Sequence, residues 1–391
     1  MKLVQINSVY NTGSTGRIVA GIAAAAKKRG WLNQIYYGRP SSAPSTDSVR
    51  IESDFGNYAH GLYSYLLDGQ GLGSRRATSK LINEIAQTRP DAILLHNLHG
   101  YYLNYAMLFN FLNSIDVPIF WTWHDCWPVT GHCAHFVRFN CLKWKGTCNK
   151  CPMTSYYPRA LIDRSTRNHI LKKHSYRNLR GMTIVCPSKW IEGVGKESFM
   201  KNCRFSVIHN GVDLVKFSPG PLANDSIILG VASYWSQAKG LNDFVKLREL
   251  LPGHVRILLV GITREQKGKL PPGIESLEKI ESVQQLASIY AAASVFCNPT
   301  YGDTFPTTNI EALAAGVPVV TYKTGGSPEA IDRNTGSVVE QGDIQALASE
   351  LLAWLNRPRS EVAPKCRQRA ERNFDQDRQF GKYIDLVESS L

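Results

Sequence analysis

The sequence predicts an α/β protein of two Rossmann-like, doubly wound domains that face a cleft. Three observations predict it: the length, an alternation of short apolar runs with helical patterns, and a restart of that alternation past mid-chain. At 391 residues the chain is too long for one ordinary core and suits two domains of roughly 150–200 residues. Short strands alternating with amphipathic helices argue for βαβ units and a mostly parallel sheet. The division falls at residue 215, giving an N-terminal domain over 1–215 and a C-terminal domain over 216–391. Phe217-Ser218-Pro219-Gly220-Pro221 reads as the linker.

In the first half, Leu3-Val4-Gln5-Ile6 reads as the opening strand. After the turn Tyr10–Gly16, the residues Ile18, Val19, Ile22, Ala25 and Ala26 recur at helical spacing. That helix stops at Gly30, which suits a left-handed cap. Further strands are predicted at Gln34–Tyr37, Ala92–Leu95, Ile119–Trp123 and Thr183–Cys186. The second half restarts with a strand at Ile227–Val231, a helix from Gly240 to Leu251 and a strand at Arg256–Val260. Helix Gln284–Ala292, strand Val295–Asn298, helix Thr307–Ala315 and strand Val317–Tyr322 follow. A last helix near Gln376–Ser389 presents Phe380, Tyr383, Ile384 and Val387 on one face, which must pack on one domain or the other.

No apolar run approaches the roughly 18–20 residues needed to cross a bilayer. The N-terminus opens directly as a strand and lacks the pattern of a signal peptide, so a cytoplasmic protein is expected. The net charge of +13 is unevenly placed. Residues 1–215 carry 26 Lys and Arg against 12 Asp and Glu, whereas 216–391 carry 19 against 20. Arg138 to Arg180 alone holds eleven basic residues and one acid, Asp163. A solvated basic face and a contact with an anionic membrane surface or lipid diphosphate both fit this run. Nucleic acid is not expected as a partner, because no recognised nucleic-acid module accompanies the charge.

Ligands of open α/β folds bind beyond the carboxyl ends of the strands, so turns after strands carry the chemistry. The segment Asn298 to Val320 reads as strand, loop, helix, glycine stop and strand, with Asp303 in the loop and Glu311 on the helix. A carboxylate there can accept two hydrogen bonds from a sugar diol; it can equally be an acid that stabilises its helix N-terminus. Gly13-Ser14-Thr15-Gly16 follows the first strand, and its small residues let backbone N–H groups approach phosphate. Trp123-His124-Asp125 and His96-Asn97-Leu98-His99-Gly100 also follow strands; a lone histidine is more often structural than catalytic.

Asn298–Glu311, with Thr321–Glu329 after it, resembles the donor site of family-4 glycosyltransferases of the GT-B fold. The resemblance spans nearly the whole chain. It implies that Asp303 contacts the transferred sugar, that Glu311 holds the nucleotide ribose, and that Thr307 and Thr308 help bind the donor. Asp303 stands where the family usually has Glu. Val231–Gly240 is similar to the family's pyrophosphate site: Lys239 matches its Lys, and Tyr234 replaces its Arg, with Arg264 the candidate substitute. Gly13, Ser14 and Gly16 match the loop beside the donor phosphates, and His124 matches the active-site histidine.

The resemblance implies retaining transfer from a nucleotide-sugar to a saccharide or polyprenyl-diphosphate-linked acceptor, as a hexosyltransferase without a catalytic metal. Its implied setting is bacterial surface polysaccharide synthesis, O-antigen or capsule, peripherally on the inner face of the cytoplasmic membrane. A nucleotide-sugar epimerase of GT-B fold is the alternative, and a zinc-stabilised nucleic-acid-binding protein ranks last. Cys133, Cys141, Cys148 and Cys151 have seven, six and two residues between them, with Cys126, His132 and His135 nearby, inside a basic insertion near 126–180. The spacing suits structural zinc, with free thiols or a redox role as the other readings. A similar cysteine-bearing insertion occurs in a surface-polysaccharide subgroup of the family.

Overall fold

Seven parallel strands form the sheet of the first unit: β1 (Lys2–Asn7), β2 (Leu32–Tyr37), β3 (Ser48–Arg50), β4 (Ala92–Leu95), β5 (Ile119–Thr122), β6 (Thr183–Cys186) and β7 (Arg204–Val207). Their order is β3-β2-β1-β4-β5-β6-β7. The computed structural model describes residues 1–41, 44–176, 181–220, 226–280 and 282–391. β4, β5 and β6 are buried along their whole length, which is why they are apolar but for Thr122 and Thr183 at two strand ends.

Alternate side chains of these strands enter two different cores. Leu3, Leu94, Phe120 and Val185 pack with Ile18, Ile22 and Ala26 of the helix Gly13–Lys28. Val4, Ile6, Ile93, Trp121 and Ile184 pack on the opposite face with Leu108, Phe109 and Tyr176. The helix Gly13–Lys28 ends as its glycine suggests. Gly30 has φ +76°, its N–H donates to the Lys27 carbonyl, and the Trp31 N–H donates to that of Ala26.

Phe380, Tyr383, Ile384 and Val387 of the last helix, Gln376–Glu388, complete the first of these cores. Gly21 allows it, because a Cβ there would lie 2.1 Å from the Phe380 ring. The first compact unit is therefore Met1–Ile208 together with Gln379–Leu391.

The second unit, His209–Arg378, holds β8 (Ile227–Val231), β9 (Arg256–Val260), β10 (Ile274–Leu277), β11 (Val295–Asn298), β12 (Val319–Tyr322) and β13 (Gly336–Val339). These are also parallel, in the order β10-β9-β8-β11-β12-β13. The expected division at 215 is corrected to 208/209. His209 stacks on Phe305 with ring centroids 4.8 Å apart, and the Val212 N–H donates to the Phe374 carbonyl at 2.8 Å. Phe217, assigned to a linker, is 3% exposed and belongs to the second core; Pro221 lies outside the described residues.

In both sheets the winding direction reverses beside the first strand, between β1 and β4 and between β8 and β11. Such switch points open a crevice at the carboxyl ends of the strands. Among the described residues no helix is long and apolar enough to cross a membrane.

Candidate functional site

In the second unit, three loops leave the carboxyl ends of neighbouring strands β8, β11 and β12, on both sides of the switch point. They converge on Asp303. Its Oδ2 lies 2.8 Å from Lys239 Nζ, and its Oδ1 accepts the Phe305 N–H at 3.3 Å. The Gly326 N–H donates to the Asp303 carbonyl at 3.1 Å. Gly325, at φ +55°, is dictated by this approach, because a Cβ there would stand 1.8 Å from the same carbonyl oxygen. Gly240 plays the same part after Lys239: φ is +77°, and a Cβ would meet the Pro299 carbonyl oxygen at 2.3 Å. The Tyr301 N–H donates to the Ala238 carbonyl at 2.9 Å, tying the Lys239 and Asp303 loops together.

Thr307 and Thr308 are the first two residues of the helix Thr307–Ala314 and are partly exposed. Glu311 is the fifth residue, 5% exposed, with Oε2 accepting the Tyr290 hydroxyl at 3.1 Å. The helix dipole acts within the first turn, so stabilising the N-terminus does not explain an acid in the second. A polar chain that the sequence did not reveal holds this helix to its strands. Asn298 Nδ2 donates to Asn309 Oδ1 at 2.7 Å, Asn309 Nδ2 to Ser327 Oγ at 2.9 Å, and Ser327 Oγ lies 2.7 Å from Thr321 Oγ1.

Arg264 projects into solvent, its side chain 90% exposed, and its Nε lies 3.1 Å from Glu278 Oε1. It starts a separate four-residue helix, Arg264–Lys267, and its ion-pair partner is Glu278, whereas Lys239 pairs with Asp303.

In the first unit, Gly13, Ser14 and Gly16 open the helix after β1. Gly13 has φ +64°, and a Cβ on Gly16 would lie 3.0 Å from the Asn11 nitrogen. Thr12, before them, makes no side-chain cap. Two histidine pairs stand at the ends of β4 and β5. His96 Nδ1 and His124 Nε2 are 3.1 Å apart. His99 Nε2 lies 2.6 Å from Asp125 Oδ2, and the Tyr157 hydroxyl is 3.2 Å from His99 Nδ1. Burial alone would raise the Asp125 carboxyl, but His99 and the Trp127 N–H bring it down to about 2. Sequence reading named His124 and His99 but not this dyad.

Burial lowers His124 to about 4, and it holds His96 well below the ordinary imidazole range. His60 is likewise lowered to about 4 by burial; its Nε2 accepts the N–H groups of Gly71 and Gly73, at 3.2 and 3.1 Å, which a proton would displace. All three stay neutral when folded, whereas the unfolded chain takes up protons below about 6.5. The unfolded state thus binds more protons between about pH 4 and 6.5, and stability falls as pH drops through that window. The expected loss is at most about 1.4 kcal/mol per pH unit per histidine. Melting curves at pH 7, 6 and 5 check this; an unchanged Tm would contradict it.

The insertion between β5 and the helix Ser165–Tyr176 contains three short 3-10 turns, Trp127–Val129, Phe136–Phe139 and Lys143–Lys145. Cys133, Cys141, Cys148 and Cys151 line one cavity inside it. None of the four is in a disulfide, and Cys133 is hydrogen-bonded to Cys151. Among the described residues no three His, Cys, Asp or Glu groups are gathered as a ready metal site. The basic run is not one solvated face. Lys172 is 1% exposed, Lys145 pairs with Glu197 at 2.5 Å, and Arg138 lies over the Tyr156 ring. Arg177 and Arg180 lie outside the described residues.

Two Rossmann-like units, the second carrying Lys239 and Asp303 on strand-end loops and Glu311 on the adjoining helix, have the architecture of a GT-B glycosyltransferase. Residues 15–216 match the model of Glycosyltransferase Family 4, and residues 225–357 match that of Glycosyl transferases group 1. The chain belongs to glycosyltransferase family 4, and it is an enzyme of the hexosyltransferase type.

Among similar proteins is the putative colanic acid biosynthesis glycosyl transferase WcaC of Escherichia coli K12. It is 25% identical over 294 residues, covering 69% of each chain. Among solved structures, sucrose-phosphate synthase from Thermosynechococcus elongatus superposes with a TM-score of 0.72 at 17% identity, over 99% of this chain and 98% of that one. Anabaena Alr3699/HepE in complex with UDP-glucose gives 0.69 at 14% identity, over all of both chains.

Proposed function

We propose that this enzyme transfers a hexose from a nucleoside-diphosphate sugar, with retention at the anomeric carbon, to a saccharide or polyprenyl-diphosphate-linked saccharide in bacterial surface polysaccharide synthesis. The observation that carries the reading is Lys239 held against Asp303 beside the β8/β11 switch point, with Glu311 on the adjoining helix. A nucleotide-sugar in the related fold of Alr3699/HepE and the colanic acid role in the name of WcaC support it.

In this reading Glu311 binds the ribose, while Lys239 and the N–H groups at Thr307 and Thr308 bind the diphosphate. Asp303 positions Lys239. Gly13, Ser14 and Gly16 offer backbone N–H groups to anionic oxygen, and His124, neutral at pH 7, hydrogen-bonds sugar hydroxyls. The acceptor hydroxyl attacks the anomeric carbon on the face the phosphate leaves. The bond from that carbon to the phosphate oxygen breaks, a bond to the acceptor oxygen forms, and the acceptor proton passes to the departing phosphate. Charge building on the leaving diphosphate is stabilised by Lys239 and the helix N-terminus, with no catalytic divalent metal.

UDP is expected to raise the Tm, and donor turnover is expected to need a saccharide acceptor. The anomeric configuration of the product, read by NMR, should equal that of the donor. Turnover of donor without acceptor would instead indicate the epimerase, and inversion would refute retention.

Exposed Leu142, Leu161 and Ile162 accompany exposed Lys143, Lys150 and Arg159 on the insertion. Apolar side chains among cations suit an anionic lipid surface, so the enzyme works peripherally at the inner face of the cytoplasmic membrane. Sedimentation with vesicles is expected to be stronger for phosphatidylglycerol than for phosphatidylcholine and to weaken with salt. Equal sedimentation with both would contradict docking.

A further inference from the structure

We propose that the insertion is built around one structural Zn²⁺ held by the thiolates of Cys133, Cys141, Cys148 and Cys151. All four line a single cavity of about 10 Å³, the room for one water-sized body. That room suits a single ion.

Three features at or near the cavity suit an anionic, sulfur-centred occupant. First, the Gly131 N–H points at Cys148 Sγ at 3.2 Å; a thiol sulfur is a weak acceptor and a thiolate a strong one. Second, His132 lines the same cavity, its Nδ1 2.6 Å from Asp68 Oδ1 and its Nε2 buried with no partner. A buried ring nitrogen left alone is costly, and this one stands at the edge of the cavity that the four sulfurs line. Third, the Lys172 ammonium is fully buried, its hydrogen bonds going to the carbonyls of Trp127 at 2.6 Å and Thr130 at 3.0 Å. Among the described residues no carboxylate is within ion-pair distance of it. The ammonium also lies 3.4 Å from the centroid of the Trp127 ring, a contact worth less than burying a cation without an anion costs. A zinc tetrathiolate, at net −2, provides one for Lys172.

The backbone also bends to present the sulfurs. Asn140 and Lys150, each just before a cysteine, adopt φ +45° and +41°, a region that side chains other than glycine seldom occupy. The Lys143 ammonium clamps the Asn149 and Lys150 carbonyls at 3.0 and 3.1 Å. With only 3-10 turns in this stretch, a four-way cross-link supplies the order that regular structure does not. On binding, four thiol protons leave to solvent and four sulfur–zinc bonds form, which draws the sulfurs into the tetrahedron that protonated thiols do not adopt.

The test uses the whole chain, purified without added metal, and needs no activity. Elemental analysis is expected to find about one zinc per chain through gel filtration. The four thiols should resist a thiol reagent until a chelator and denaturant are added. Cobalt exchanged for zinc should show the visible bands of a tetrahedral thiolate site. Cys148→Ser should lose the metal, whereas Cys203→Ser, outside the cavity, should keep it. If Cys148→Ser fails to fold, the wild-type metal content and cobalt spectrum still decide. Folded protein free of zinc with four reactive thiols, or a mass lower by two hydrogens per disulfide, would overturn the proposal.

Discussion

Replacing Lys239 with Ala is expected to lower kcat on the order of 10²-fold, the usual effect of removing one group that stabilises a leaving oxyanion. The protein should remain folded, because the Lys239–Asp303 pair is part-exposed, at 38% and 23% of the side chains, and such pairs contribute roughly 1 kcal/mol or less. Asp303→Asn separates the two roles. It leaves the ammonium charge but loosens its anchor, so its loss should be smaller, and Lys239→Arg should recover part of the rate. Steady-state kinetics with saturating donor read these differences. If Lys239→Ala turns over within a few-fold of wild type while Asp303→Asn is inactive, the assignment of the diphosphate to Lys239 fails.

The second large effect concerns Glu311. Glu311→Gln keeps the volume and an oxygen for the Tyr290 hydroxyl, yet removes the charge that would accept hydrogen bonds from a ribose diol. A charge-assisted hydrogen bond is worth roughly 1.5–3 kcal/mol, so UDP affinity should fall about 10- to 100-fold. Titration calorimetry measures it, with circular dichroism confirming the fold. Tyr290→Phe is the control: it leaves the carboxylate charged, and its affinity loss should be smaller. Unchanged UDP affinity in Glu311→Gln would remove the ribose role.

The central strands were legible because burial on both faces writes them as apolar runs. The four strands not read from the sequence, β3, β7, β10 and β13, are the sheet edges. Edge strands pair on one side only, and these are partly exposed, so their apolar signal fades. Asp303 and Glu311 were legible because strand, loop and helix lie in one contiguous stretch. The Lys239–Asp303 pair joins residues 64 apart, and the His99–Asp125 dyad joins two strand ends; only the sheet order brings such partners together. The boundary was misread because Val212 and Phe217, though they stand in a stretch that runs into Pro219 and Gly220, are core residues of the second unit.

The discontinuity of the first unit has a consequence for synthesis on the ribosome. His209–Arg378 is one uninterrupted stretch and can close its core as soon as it has emerged. The earlier segment must wait with Leu3, Ile22 and Phe120 uncovered until Phe380, Tyr383, Ile384 and Val387 are made. At ~5–20 residues per second, that delay is on the order of ten to thirty seconds. The part of the chain born first is thus finished last, and through that interval its exposed apolar face is a natural client for chaperones.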